Sequence, residues 1–588
     1  MKQLLIGIDV GSTTTKITVL NKTTESLLYS DYRRHHADQL ASVLFAIRYA
    51  DMAEDSFHQE LLAEGERILK QVTEENRYAV IPASRPYQND PLVNHNLPEM
   101  FTSLGIPVLT ADAVPGVNDV DLTNSRLDVV NNYHARMLGS AVIAAENPHL
   151  EYVQIVSFGC GHDAYLSDEI IRLMKQGSGK IPLVLKLDES EIQGPLRIRV
   201  RSFIETVRMQ REKHEEAPVH ALTDPYPVKY EKKDRKERIV LIPNTSHAFC
   251  RVMSAAMERQ GLPLPIGRDE AIRLGKKYVH NDICFPAQIV IGEALAALKS
   301  GKYDGKDVAI ATGKYIGDCR LTHYSALLRK ALDDAGFSDV PILTNDDADF
   351  HNLHPGFRLN LLSALRIAYA LPMIDILEEL LRKIRPYELT KGNADAAFEQ
   401  AMDAVIDGLS RHGVNGAKHG FEIIEARMSD VIQKSYFYRD MQVREYHLHK
   451  PLQEKLWYRM ADLFFDLAHD AADKIASAHP LYDRPAVRLP ELVKESDPII
   501  HHTFDAGEGV LIPGEILHHA AHGCQPFGCL PNHVVGRGIS KRLKELYPDI
   551  QILPLDYDPD VSFANIENRL QMLIMNAREQ EAEKDKTK

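Results

Sequence analysis

The chain has 588 residues, 44% of them apolar and 26% charged, the balance of a soluble globular protein and too much for one core, so about three or four domains are expected. A formal net charge of -14 argues against a nucleic-acid backbone as the main partner. Six cysteines are too sparse for a disulfide framework and are expected as thiols, so their placement carries the information.

The first apolar stretch is broken by Asp9, too early for a signal peptide, and the longest one, 359–381, contains Arg366, Pro372 and Asp375. That region reads as a buried helix pair rather than a membrane span, and a cytoplasmic protein without a membrane partner is expected. Leu4 to Leu20 forms two strand-like runs joined by a Gly/Ser/Thr turn. This resembles the first phosphate-binding hairpin of actin-like, sugar-kinase ATPases, and the resemblance implies nucleotide-binding roles for Asp9, Gly11, Ser12, Thr13, Thr14 and Lys16. An ATPase of that type also needs a second phosphate loop and a glycine-rich adenosine loop, and the chain has no Gly-Gly pair. A bare hairpin without ATP or magnesium therefore stands beside the nucleotide-binding reading. Gly177-Ser178-Gly179-Lys180 lacks the frame of a Walker loop and reads as a helix end.

From Ala50 to Glu75 the apolar spacing predicts an amphipathic helix. Strands follow at 78–82, 107–110, 152–156 and 182–187, with helices at 97–104 and 164–175 between them. A charge-rich stretch at 207–237 reads as a linker. A second alternating region brings strands at 239–242, 308–311 and 340–343 and helices at 248–260, 287–298 and 321–335, then long helical periods from about 350 to 495. The alternation predicts an α/β protein: two doubly wound, mainly parallel-sheet (Rossmann-like) domains with a large helical insertion and a vestigial actin-like ATPase hairpin. The expected boundaries are 1–50 hairpin, 51–206 first α/β domain, 207–237 linker, 238–349 second α/β domain, 350–495 helical insertion, 496–575 the rest of the second domain, and 576–588 tail.

Near the C-terminus, Gly523 to His533 packs two thiols, two prolines and two glycines just before a helix-like run, where the helix dipole favours thiolate. Cys160 and Cys319 each follow a predicted strand and precede a predicted helix, while Cys284 and Cys529 each precede a helix. Ligands of open parallel sheets bind at the strands' carboxyl ends, so these four thiols are expected at one crevice between the two α/β domains. Such convergence points to a soft metal or an iron–sulfur cluster. Cys524 is the weaker fifth candidate, and Cys250, inside a helix period, reads as a small core residue. Zinc is the rival metal, because Cys160-x-His162 and Cys529-x-x-x-His533 offer nitrogen, though neither has paired structural-zinc spacing. The bland alternative is buried thiols in a non-catalytic scaffold.

Five motifs carry a further likeness: Ser84-Arg85-Pro86-Tyr87 with Asp90-Pro91 and Asn94-His95; Ser157-Phe158-Gly159-Cys160-Gly161 with Asp163; Cys284-Phe285-Pro286; Gly317-Asp318-Cys319-Arg320; and Gln525 to His533. Occurring in this order over roughly 50–575, they resemble the C-terminal, cluster-bearing half of the large acyl-CoA dehydratase activase-related proteins. The resemblance implies a metal-binding protein with a 4Fe-4S-type iron–sulfur cluster and low-potential electron transfer. It also implies a 2-hydroxyacyl-CoA dehydratase-like partner and an electron donor such as ferredoxin or flavodoxin. A reductase or dehydratase acting on a small or CoA-linked substrate at the cluster is the alternative. The chain departs from that family in keeping one ATPase hairpin and having no cysteine before Cys160, which leaves the activator's own cluster site missing.

Overall fold

The computed structural model describes residues 4–10, 14–21, 26–34, 39–157, 159–187, 193–213, 219–243, 246–256, 261–263, 268–315, 317, 319–344, 351–358, 361–412, 428–477, 487–501, 510–519, 524–526, 532–548, 552–553, 555–557 and 563–587; for 4–51, 524–526 and some further positions within these helices and strands it describes the backbone alone. They divide into two compact units. The first comprises 1–122, 131–158 and 170–222, and the second 123–130, 159–169 and 223–588.

The first unit opens with an antiparallel sheet of β1 (Leu4–Val10), β2 (Thr14–Asn21) and β3 (Ser26–Arg34), in which Asp9 lies opposite Lys16. A 36-residue helix, α1 (Gln39–Glu74), follows without a break at residue 50. The α/β part then runs through β4 (Ala79–Ala83), α2 (Leu97–Thr102), α3 (Asn132–Glu146), β5 (Leu150–Ser157), α4 (Gly161–Ser178, of which 161–169 belong to the second unit), β6 (Leu183–Leu187) and α5 (Gln193–Glu212). Because helices separate the strands, they can pair only through crossovers, and the sheet β4-β5-β6 is parallel throughout. The strand expected at 107–110 is reduced to one bridge, Val108 to Val80. Val80, Val153 and Leu185 from the strands meet Leu97, Phe101 and Val200 from the helices in one buried cluster.

Helix α4 ends as its Gly-x-Gly pattern indicates. Gly179 takes φ +76°, a left-handed conformation that side chains resist, and donates its N–H to Lys175 O at 3.0 Å. Lys180 then turns inward, its Nζ donating to the carbonyls of Ala144 (3.0 Å), Asn147 (2.8 Å) and Leu150 (2.7 Å), so it is spent on backbone rather than offered to phosphate.

The second unit holds α6 (Asp234–Glu237), β7 (Ile239–Ile242), α7 (His247–Ala256), β8 (Gly261–Pro263), α8 (Arg268–Tyr278), α9 (Phe285–Lys299), β9 (Val308–Thr312), α10 (Tyr324–Asp334) and β10 (Ile342–Thr344). Its sheet is parallel in the order β10-β9-β7-β8, with Ile310 opposite Ile342 and Leu241. The chain entering this unit, read as a linker from its charge, carries two buried tyrosines. Tyr226 Oη donates to Arg126 O at 2.9 Å, and Tyr230 exchanges backbone hydrogen bonds with Leu353 and Gly356.

Among the described residues five helices follow: α11 (Leu361–Ile384), α12 (Asn393–His412), α13 (Met428–Glu445), α14 (Leu452–Ala476) and α15 (Leu489–Ser496). Where a helix pair was expected around Pro372, α11 is one helix running through it. Proline removes one intrahelical bond, but Ile367, Leu371, Ile374 and Leu377 are buried against Val252, Met402 and Phe465, and that packing outweighs the lost bond. The C-terminal part comprises α16 (Leu511–His519), β11 (Cys524–Pro526), a π-helical turn at Asn532–Arg537, α17 (Ser540–Leu546), β12 (Leu555–Tyr557) and α18 (Phe563–Thr587). Strands β11 and β12 pair in parallel, Cys524 opposite Leu555. Among the described residues no helix is long and apolar enough to cross a membrane.

Candidate thiol site

Three of the expected thiols stand at the starts of helices, all within the second unit. Cys160 immediately precedes α4 and is partly exposed. Cys284 is the N-cap of α9, followed by Phe285 and by Pro286, which presets helical backbone at the second position. Cys319 caps a single 3-10 turn, Arg320–His323, that runs straight into α10. The loop carrying Cys319 is fastened by the buried hydroxyl of Thr322, which accepts Gly317 N–H at 3.2 Å and lies against the carbonyls of Gly317 (2.8 Å) and Tyr315.

Contacts between neighbours of these cysteines join the three helix starts. Cys284 Sγ lies 3.3 Å from the hydroxyl of Tyr324, the first residue of α10. Arg320 is 6% exposed and presses its guanidinium on Gly161, the first residue of α4. A Cβ at Gly161 would fall 2.1 Å from Arg320 Nε and 2.8 Å from Cζ, so only glycine admits the arginine here. Tyr165, one turn into α4, stacks on His323 with ring centroids 4.0 Å apart, and its hydroxyl lies 2.5 Å from His162 Nδ1. All three of these rings are buried.

Beneath this corner are two buried ion pairs. Lys314, two residues past the end of β9, holds Asp128 at 2.8 Å, and Arg126 holds Glu169 of α4 at 2.7 Å. The Glu169 carboxylate keeps the Arg126 guanidinium above its usual range even though burial pushes it down.

The remaining candidates are placed as follows. Cys250 is a core residue of α7, fully buried, its Sγ donating to Pro243 O at 3.2 Å. Cys524 begins β11, and Cys529 lies outside the described residues. Asp9 ends toward the hairpin tip on β1, Thr14 and Lys16 lie on β2, and Gly11, Ser12 and Thr13 lie outside the described residues. Among the described residues no three His, Cys, Asp or Glu side chains come together as a ligand set for a metal ion. The donors fit an iron–sulfur cluster in kind, thiols on three joined helix starts, while the fourth candidate, Cys529, is outside the described residues. Sequence reasoning quoted Arg320 within a motif without giving it a role, and missed Lys314, Asp128 and the pair Tyr165–His323.

These features define an α/β protein whose cysteine-bearing loops open onto helix N-termini. Residues 8–114, from the end of β1 through β2, β3, α1 and β4, are similar to a family described as a CoA enzyme activase uncharacterised domain. No curated protein and no solved structure matches the chain.

Proposed function

We propose that the chain is an iron–sulfur protein of the acyl-CoA dehydratase activation machinery. On this reading its two parallel sheets are Rossmann-like, doubly wound domains, and low-potential electrons pass through a cluster held by Cys160, Cys284, Cys319 and Cys529. The observation that carries the reading is the junction of the Cys160, Cys284 and Cys319 helix starts through Arg320–Gly161 and Cys284–Tyr324, and the match to CoA enzyme activases supplies its direction. When bound, the cluster would supply one-electron transfer. The chain's own part is to hold the thiols on helix starts that buried packing fixes, as the Thr322 tether fixes Cys319. The partner on this reading is a 2-hydroxyacyl-CoA dehydratase-like component, with a ferredoxin or flavodoxin as donor, and the N-terminal sheet does not itself enclose ATP.

Anaerobic reconstitution tests the assignment. The protein should turn brown, absorb broadly at roughly 400 nm and carry on the order of four irons per chain. Cys160→Ser, Cys284→Ser, Cys319→Ser and Cys529→Ser should each lower iron content, and Cys250→Ser should leave it unchanged. Iron loss in Cys524→Ser would add that thiol to the set. Colourless protein with all six cysteines titrating freely overturns the reading.

A further inference from the structure

We propose that two copies of this chain pair through α14, antiparallel and about a two-fold axis near Met460. Helix α14 has two apolar faces. One is spent on the fold: Phe465, Ala472 and Ala476 are buried with Ile374, Met373 and Ile376 of α11. The other, Leu452, Leu456, Met460, Leu463 and Leu467, recurs at helical spacing and falls within an arc of about 80° at 100° per residue. It faces solvent, Leu452 81% exposed and the other four 52–59%. A continuous apolar stripe of this length marks a surface that another protein covers.

The charges along one edge of the stripe select a second copy as its occupant. Toward the start of α14, Asp440 of α13 is shared by Arg444 at 2.9 Å and Arg459 at 3.3 Å, which leaves one cation unbalanced, and Lys455 adds its own charge. With Leu456 and His447, these residues line an open pocket of about 420 Å³. Toward the end of the helix the same arrangement recurs with the signs reversed. Arg488 is shared by Asp470 and Asp473, each at 2.7 Å, and Asp466, which accepts from the neutral Gln433 amide at 3.0 Å, adds a negative charge. The exposed face is thus apolar throughout, basic at its start and acidic toward its end. Antiparallel pairing sets Lys455 and Arg459 of each copy beside Asp466 and Asp470 of the other, whereas parallel pairing would set like charges together. Lys474, two turns past Leu467, lies beyond the paired stretch. The stripe with neighbouring Trp457 offers on the order of 600 Å² per copy, at the low end for a stable interface, so association in the micromolar range is expected. None of these residues belongs to the thiol site, and the pairing does not depend on iron.

The test is sedimentation velocity of the full-length chain in reductant, from about 0.1 to 100 μM, over which a monomer should pass to a dimer. Trp457 is the chain's one tryptophan and is 57% exposed, so its fluorescence should move to shorter wavelength over the same range. Leu463→Asp, on the open face, should weaken association roughly tenfold or more. Lys455→Glu with Arg459→Glu, and separately Asp466→Lys with Asp470→Lys, should each leave the chain monomeric. Equal amounts of these two proteins should dimerise when mixed, because antiparallel pairing then sets opposite charges together at both ends. Should either double variant fail to fold, as judged by circular dichroism, the single changes Lys455→Glu and Asp470→Lys serve for the same mixing comparison. A chain monomeric at every concentration overturns the proposal and leaves the stripe to a different protein. A dimer that Leu463→Asp leaves intact, or charge-reversed proteins that stay apart on mixing, overturns it as well.

Discussion

Lys314 Nζ and Asp128 Oδ2 meet at 2.8 Å with 0% and 2% of their side chains exposed, an ion pair taken wholly out of water beneath the loop that carries Cys319. Removing one partner leaves the other charged in a low-dielectric interior. Lys314→Met should therefore destabilise the protein by about 3–5 kcal/mol, and Lys314→Met with Asp128→Leu should cost much less than the two single changes added together. Urea midpoints of the four proteins in this cycle measure it, and additive losses would show that the pair does not act as a unit.

His134, on α3, is 2% exposed, and burial, helped by the charge of Arg85, pushes its pKa down from 6.5 to about 3. Between those two values the unfolded chain holds a proton that the folded chain rejects. Stability is therefore complete above pH 6.5 and falls as the solution is acidified toward 3. Taking the protein from pH 7.5 to 5.0 should lose about 2 kcal/mol through this group alone. His134→Gln should flatten that part of the profile, and a variant profile parallel to wild type would exclude the histidine as its source.

Tyr226→Phe removes the hydroxyl that donates to Arg126 O at 2.9 Å and leaves that carbonyl buried. A loss of about 1 kcal/mol is expected in chemical denaturation. A change near zero would mean that water takes the hydroxyl's place.

The antiparallel sheet at the N-terminus sets Asp9 opposite Lys16 but brings no second phosphate loop of the actin-like kind. ATP with magnesium is expected to show no saturable binding by calorimetry up to roughly millimolar concentration. Micromolar affinity abolished by Asp9→Ala would overturn this.

Parallel strands announced themselves because each is a short apolar run between turn residues. The run 239–242 is the whole of β7, and 308–311 lies within β9. The helix starts beside Cys160, Cys284 and Cys319 were legible for the same local reason, a strand or proline, then a thiol, then helical spacing. What could not be read is pairing across long stretches of chain. Nothing near Lys314 in sequence points to Asp128, and nothing near Arg320 points to Gly161. The unbroken α11 escaped as well, since a proline breaks a helix by local rules and only packing from distant segments holds this one together.

Lys180 has one more consequence. Its ammonium bridges the last turn of α3, the turn beyond it and the first residue of β5, with Glu151 at 3.5 Å. Burial lowers its pKa, opposed by the Glu151 charge. An amine whose three protons already point at carbonyl oxygens is a poor nucleophile toward acylating reagents while the fold is intact. It becomes an ordinary surface lysine once those carbonyls part. Lys180 is thus a natural chemical footprint for the opening of the first unit: mass-spectrometric acetylation of this one side chain, compared with exposed Lys70, would time the parting of α3 from β5 without any engineered probe.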